Sequence, residues 1–176
     1  GKIINLMIDD VLKEAEGEAQ WLREHKIGAT PRAAKDSRDI IGSLAHQIVE
    51  SKLDELGVPY TSTRKEQYKR GDTLDILYES DKIDVKGTEG EVNEQYFYNE
   101  QFLVFTRQID DPKFASLTHL IFCKIARDRS QGWIYGVIDV PTFLRESYPV
   151  KLQWDNQAVR ARQLRSFLSY VWRAPE

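Results

Sequence analysis

Among 176 residues there is a single cysteine, Cys123. One thiol can form neither an internal disulfide nor a cysteine metal cluster, so the chain fits a reducing interior, and the apolar run at 120–122 just before it marks Cys123 as core. Long hydrophobic runs are missing as well. No stretch approaches the ~18–20 apolar residues of a membrane span. The first residues lack the basic start, apolar middle and small-residue cleavage site of a signal peptide. Together these readings predict a soluble, cytoplasmic protein with no membrane partner. An excess of positive charge is also missing: 25 Lys and Arg face 28 Asp and Glu, a net charge of −3. That balance argues against a protein that coats nucleic acid by bulk attraction, but it permits a local basic rim. Basic residues do cluster, at Arg64, Lys65, Lys69 and Arg70, at Arg127 and Arg129, and at Arg160, Arg162 and Arg165. There is no internal repeat, low-complexity tract or Gly-rich phosphate loop. What is present, 41% hydrophobic residues and four Trp, suffices for one domain with a sizeable core.

Apolar residues at Ile4, Ile8, Val11, Leu12, Ala15, Ala19 and Leu22 fall near helical period and predict one long helix over 3–25. A connector with Pro31 follows. Asp36 or Ser37 then caps a second helix, whose buried stripe runs through Ile41, Leu44, Ala45, Ile48, Leu53 and Leu56 and which ends at Gly57. Gly42, His46 and Glu50 lie along one edge of that stripe. Residues 61–71 are polar, with four basic side chains around Tyr68, and read either as a solvated loop or as a phosphate-contacting arm through Lys65, Lys69 and Arg70. Further on, 87–91 reads as a loop, 96–98 as a strand, and Asn99 as the cap of a helix through Ile109. Gln101 and Gln108 are polar candidates on that helix with nothing to set them apart from surface glutamines. Strands are expected at 117–125 and 133–140, a short helix from Pro141 to Arg145, and a long C-terminal helix over 155–172.

The most informative stretch is 73–86, T-L-D-I-L-Y-E-S-D-K-I-D-V-K. Two β-prone runs flank Glu79, Ser80, Asp81 and Lys82, which predicts a hairpin with a four-residue turn. Pairing Tyr78 with Ile83 sets Asp75 opposite Lys86. Side chains alternate along a strand, so Ile76, Tyr78, Ile83 and Val85 share one face while Asp75, Asp84 and Lys86 share the other. Two diagonal carboxylates with Cβ atoms roughly 7 Å apart can converge on a hard divalent cation, with the Val85 backbone carbonyl as a further oxygen ligand and Lys86 facing an attacking water.

An Asp on one strand followed by Asp-x-Lys on the next resembles the PD-(D/E)XK, or restriction endonuclease-like, nuclease superfamily. Asp75 matches its first Asp, with Leu74 where Pro is usual; Asp84 matches the second acid and Lys86 the lysine. The helix that precedes the hairpin in that superfamily reads roughly Gly-x-x-Ala-Glu. Here the run is Gly42-Ser43-Leu44-Ala45-His46, with His46 in place of Glu. The resemblance implies an α/β fold with a mixed central sheet flanked by helices. In that scheme an N-terminal helix and connector occupy 1–35, a catalytic core 36–140 and a helical part 141–176. It also implies one or two Mg²⁺ or Mn²⁺ ions on Asp75, Asp84 and His46, with catalysis by these residues and Lys86.

Three readings of His46 stay open. In the His-bearing branch of the superfamily the imidazole ligates metal. Alternatively Glu50, one turn along, supplies the missing carboxylate or orients the ring. Or His46 is a satisfied core histidine. The implied function is a metal-dependent endonuclease acting on DNA in preference to RNA, of restriction, junction or repair type, acting as a homodimer if it cuts both strands. A His-bearing RNA endonuclease, an impaired nucleic-acid-binding module and a purely structural Asp84–Lys86 ion pair are the alternatives.

Overall fold

The computed structural model describes residues 3–9, 11–13, 15–17, 20, 35–63 and 75–172, with the backbone alone at 35–39. Lys65, Lys69 and Arg70 lie outside these residues. The chain opens with strand β1 (Ile4–Met7), and helix α1 (Lys35–Glu55) precedes β2 (Thr61–Ser62), β3 (Ile76–Tyr78) and β4 (Asp81–Glu89). A 3-10 turn (Glu94–Asn99) leads to β5 (Gln101–Phe105), the one-turn helix α2 (Thr106–Ile109) and a second 3-10 turn (Pro112–Ser116). Then come β6 (His119–Ile125), β7 (Gln131–Asp139), α3 (Val140–Glu146), β8 (Tyr148–Lys151), β9 (Asp155–Arg160) and α4 (Phe167–Val171).

Two sheets result. The larger is mixed, with six strands in the order β1-β7-β6-β4-β3-β2. In it β2, β3 and β4 form an antiparallel meander, and β6 returns parallel to β4. The smaller is antiparallel, β5-β9-β8. Neighbours along a strand point to opposite faces, and the larger sheet accordingly buries two separate apolar clusters. On one face α1 contributes Ile41, Leu44, Ala45 and Ile48 against Ile83, Val85, Ile121 and Cys123. On the other, Leu120, Phe122, Tyr135 and Ile138 pack with Phe102, Val104 and Val159 of the smaller sheet. Among the described residues, no helix is long and apolar enough to cross a membrane.

Helix α1, its end at Gly57 with φ +68°, the hairpin, the strands β6 and β7 and the short helix from Val140 match the expectations from the sequence. Several elements differ. Residues 4–7 pair with the edge of β7 as a strand, although helical backbone follows within 9–20. Their alternating exposure is a period-two pattern too short to separate from a helical stripe. Residues 96–98 are 3-10 helix rather than strand, and 101–105 form a strand that shortens the predicted helix to the single turn of α2. Strand β4 runs on through Glu89, where a loop was expected. There is no long C-terminal helix: 155–160 are β9, paired on both sides, and only Phe167–Val171 is α-helical. Pairing with β5 and β8 overrides the good helix propensity of its Gln, Ala and Arg residues.

Candidate functional site

The hairpin between β3 and β4 closes with the two residues Glu79 and Ser80, not four. Its ladder pairs Ile76 with Ile83 and Tyr78 with Asp81. The register is thus displaced by two residues from the predicted one, and a displacement of two preserves the faces. Ile76, Tyr78, Ile83 and Val85 are all buried in the α1-side cluster. Asp84 and Lys86 pair in register with Leu120 and Phe122 and share their opposite face.

The displacement brings Asp75 level with the Ile83–Asp84 step of β4 instead of Lys86. Its N–H donates to Ile83 O at 2.9 Å, off the regular ladder, in the manner of a bulge. Its carboxylate replaces a main-chain partner: Oδ2 accepts from the Val85 N–H at 2.9 Å. The Asp75 and Asp84 side chains come close enough to hydrogen bond to one another. Asp84 is only 5% exposed. Its Oδ2 lies 2.7 Å from Lys86 Nζ, an ion pair without the alignment of a hydrogen bond. Burial pushes the Asp84 carboxyl up to about 8; Lys86 pulls the other way, and the Asp75 charge adds to the rise.

Two further elements reach this pair. From α1, His46, 2% exposed, turns Nδ1 to within 3.6 Å of Asp75 Oδ1, while Nε2 lies 2.6 Å from Glu50 Oε2. Glu50 is therefore the residue that orients the ring. The ring is thus flanked by two carboxylates, Glu50 at Nε2 and Asp75 at Nδ1. From α2, Gln108 Oε1 accepts from Lys86 Nζ at 2.9 Å. Lys86 is thus held between Asp84 and Gln108. Nothing in the sequence singles out Gln108, because only the fold of β5 and α2 carries it to the lysine.

The chemistry of this donor set fits a hard divalent cation. Asp75 and Asp84 supply carboxylate oxygens, and the desolvated Asp84 is stabilised by a positive partner of any kind. Among the described residues, however, no three His, Cys, Asp or Glu side chains are grouped closely enough to enclose one ion. Compared with known proteins, the chain matches no family model, no curated protein and no solved structure.

Proposed function

We propose that the protein is a metal-dependent endonuclease of the restriction endonuclease-like type, hydrolysing phosphodiester bonds of DNA in preference to RNA. The observation that carries this reading is the meeting of Asp75, Asp84, Lys86 and His46 from three elements, at the separations given above. The order of elements supports it: a helix, an antiparallel meander ending in the Asp-x-Lys strand, then a strand parallel to that one. Asp75, Asp84 and the Val85 carbonyl would hold Mg²⁺ or Mn²⁺, with His46 Nδ1 as a nitrogen ligand. Bound there, the ion supplies a Lewis acid for charge that builds up on a phosphate. Lys86 offers an ammonium to a phosphate oxygen or an incoming water, and Gln108 keeps it from collapsing wholly onto Asp84. Glu50 holds the tautomer and orientation of His46.

A second reading, a nucleic-acid-binding module with an impaired site, is favoured by one feature: a histidine already bound to Glu50 stands where the superfamily has a carboxylate. Cleavage of labelled plasmid, single-stranded DNA, junction DNA and RNA in Mg²⁺ or Mn²⁺ separates the two. Wild type is compared with Lys86→Ala and Asp84→Asn, each checked for folding by melting. The nuclease reading expects cutting that requires metal and disappears, by at least about a hundredfold, in both folded variants. Nucleic acid bound in chelator but never cut would leave the binding module.

A further inference from the structure

Helix α4 is fastened to the turn of the β3–β4 hairpin by a cluster that belongs to neither the carboxylate pair nor its lysine. Tyr170 Oη donates to Asp81 Oδ2 at 2.7 Å, Tyr78 Oη donates to Val171 O, and the two tyrosine rings meet edge to face with centroids 5.6 Å apart. At the centre stands His119, the first residue of β6. It pairs in register with Ile83 and so lies on the α1 face of the larger sheet, opposite to the face of Asp84. Its ring packs on that of Tyr170, with centroids 5.0 Å apart. The His119 and Asp81 side chains are only 19% and 15% exposed, so charges here are screened less than on the open surface.

The hydrogen bonds place one proton on the imidazole, and the charges around it favour a second. Thr118 Oγ1 accepts from Lys82 N at 2.8 Å and donates its own proton to Lys82 O at 3.2 Å, which leaves it as an acceptor for His119 Nδ1 at 2.9 Å. Nδ1 therefore carries the proton of the neutral ring, and a second proton on Nε2 makes the imidazolium. Asp81, from β4, lies 3.6 Å from Nδ1. Asp139, from β7, is the cross-strand partner of His119. Burial works to raise the Asp139 carboxyl, but the Thr142 N–H, the Thr142 hydroxyl and then the His119 charge outweigh it and hold the carboxyl low, so Asp139 is ionised at neutral pH. From α4 comes the Tyr170 phenol, which donates its proton to Asp81. The segment before α4 brings Arg165, which lines the same small cavity as His119 and whose Nη2 donates to Ser169 O at 3.2 Å. Two carboxylates against one guanidinium leave a negative balance, and that balance favours the protonated ring.

We propose that His119 is a pH-sensitive clasp: protonated, it draws α4 and the hairpin turn together through Asp81 and Asp139, and on losing its proton it lets α4 loosen. The clasp is independent of the nuclease reading and is tested without substrate or metal. Docking of α4 is fully present below about 6.5, the ordinary value of the imidazole, and is lost as pH rises through the docked-state value, expected about one unit higher. By linkage, one unit is a tenfold change in the opening equilibrium of α4. NMR of the wild-type chain from about pH 5 to 9, with the His119 imidazole assigned through its own backbone, reads the midpoint. Amide hydrogen exchange reads the helix, at the Tyr170 and Trp172 N–H groups that donate to Ser166 O and Leu168 O, after correction for the intrinsic pH dependence of exchange. The expected result is a midpoint of about 7.5 that Asp81→Asn lowers, with protection of α4 falling about tenfold more in wild type than in His119→Gln between pH 5.5 and 8.5. That comparison cancels Asp84, whose titration is common to both chains. A wild-type midpoint at or below about 6.5 would overturn the proposal whether or not the variants fold. So would a midpoint that Asp81→Asn leaves unmoved, or α4 protection that follows the same course in His119→Gln as in wild type.

Discussion

Asp84 is a carboxyl from which folding has stripped nearly all water, and the consequence is measurable without any substrate. Burial raises its proton affinity from the ordinary 3.8 to about 8, against the pull of Lys86 and with some help from Asp75. Between those two values the folded chain keeps a proton that the unfolded chain has released. The stabilisation is therefore fully present below 3.8 and is lost as pH rises through 8, with a slope of at most about 1.4 kcal/mol per pH unit from this one group. Denaturant melts in chelator from pH 5 to 8.5 should show wild type losing stability relative to Asp84→Asn as pH increases. A difference that stays flat across the range would mean that Asp84 titrates as an ordinary carboxyl. The same physics makes Lys86 more than a neighbour: its ammonium pulls the proton affinity of Asp84 down, so Lys86→Ala should raise that affinity further.

At the scale of elements, the seating of α1 on β4 decides where His46 points. Gly87 is the contact: a Cβ there would fall 2.8 Å from Ala45 Cβ and 2.9 Å from Ile41 O. The glycine sits in mid-strand because another backbone comes this close. Gly87→Ala should cost about 1–3 kcal/mol by overpacking, and by lifting the turn of α1 next to His46 it should weaken metal binding as well. Chemical denaturation together with metal titration reads both effects; a variant as stable as wild type would show that α1 is not pinned there. The faces of this hairpin were legible because alternation survives any even displacement. Its register was not, because the turn uses Glu79 at φ +54°, a left-handed conformation that a Gly or Asn would have announced and a Glu does not. Asp75, Asp84 and Lys86 could be read together because they lie within twelve residues of one local hairpin, and His46 because it stands on the helix just before it. Gln108 and the group around His119 and Arg165 could not, since they are assembled by contacts across the fold. The C-terminal segment misled for a related reason: its apolar spacing suits a helix, and only partners distant in sequence, β5 among them, make it a strand.

At the scale of the molecule, the Asp84 and Lys86 side chains lie on the face that the larger sheet turns to the smaller one, while His46 arrives from the opposite layer and meets Asp75. A cation gathered by these groups would tie α1, the hairpin and β4 together, so its binding free energy should appear as stability of the whole fold. With a net charge of −3, the chain does not repel such an ion as a strongly basic nucleic-acid binder would. At a free metal concentration about 100 times the Kd, linkage contributes about 2.7 kcal/mol, and a chain of this size gains about 2–4 °C for each kcal/mol. Saturating Mn²⁺ or Mg²⁺ should therefore raise the melting temperature by about 5–11 °C, and Ca²⁺ serves as the comparison for a larger hard cation. Asp84→Asn should abolish the rise, whereas Lys86→Ala should leave it or increase it, because the ammonium and the cation compete for the same carboxylate. A melting temperature indifferent to all three ions would remove the metal from the proposed mechanism, and an equal rise in Asp84→Asn would place the ion elsewhere on the molecule.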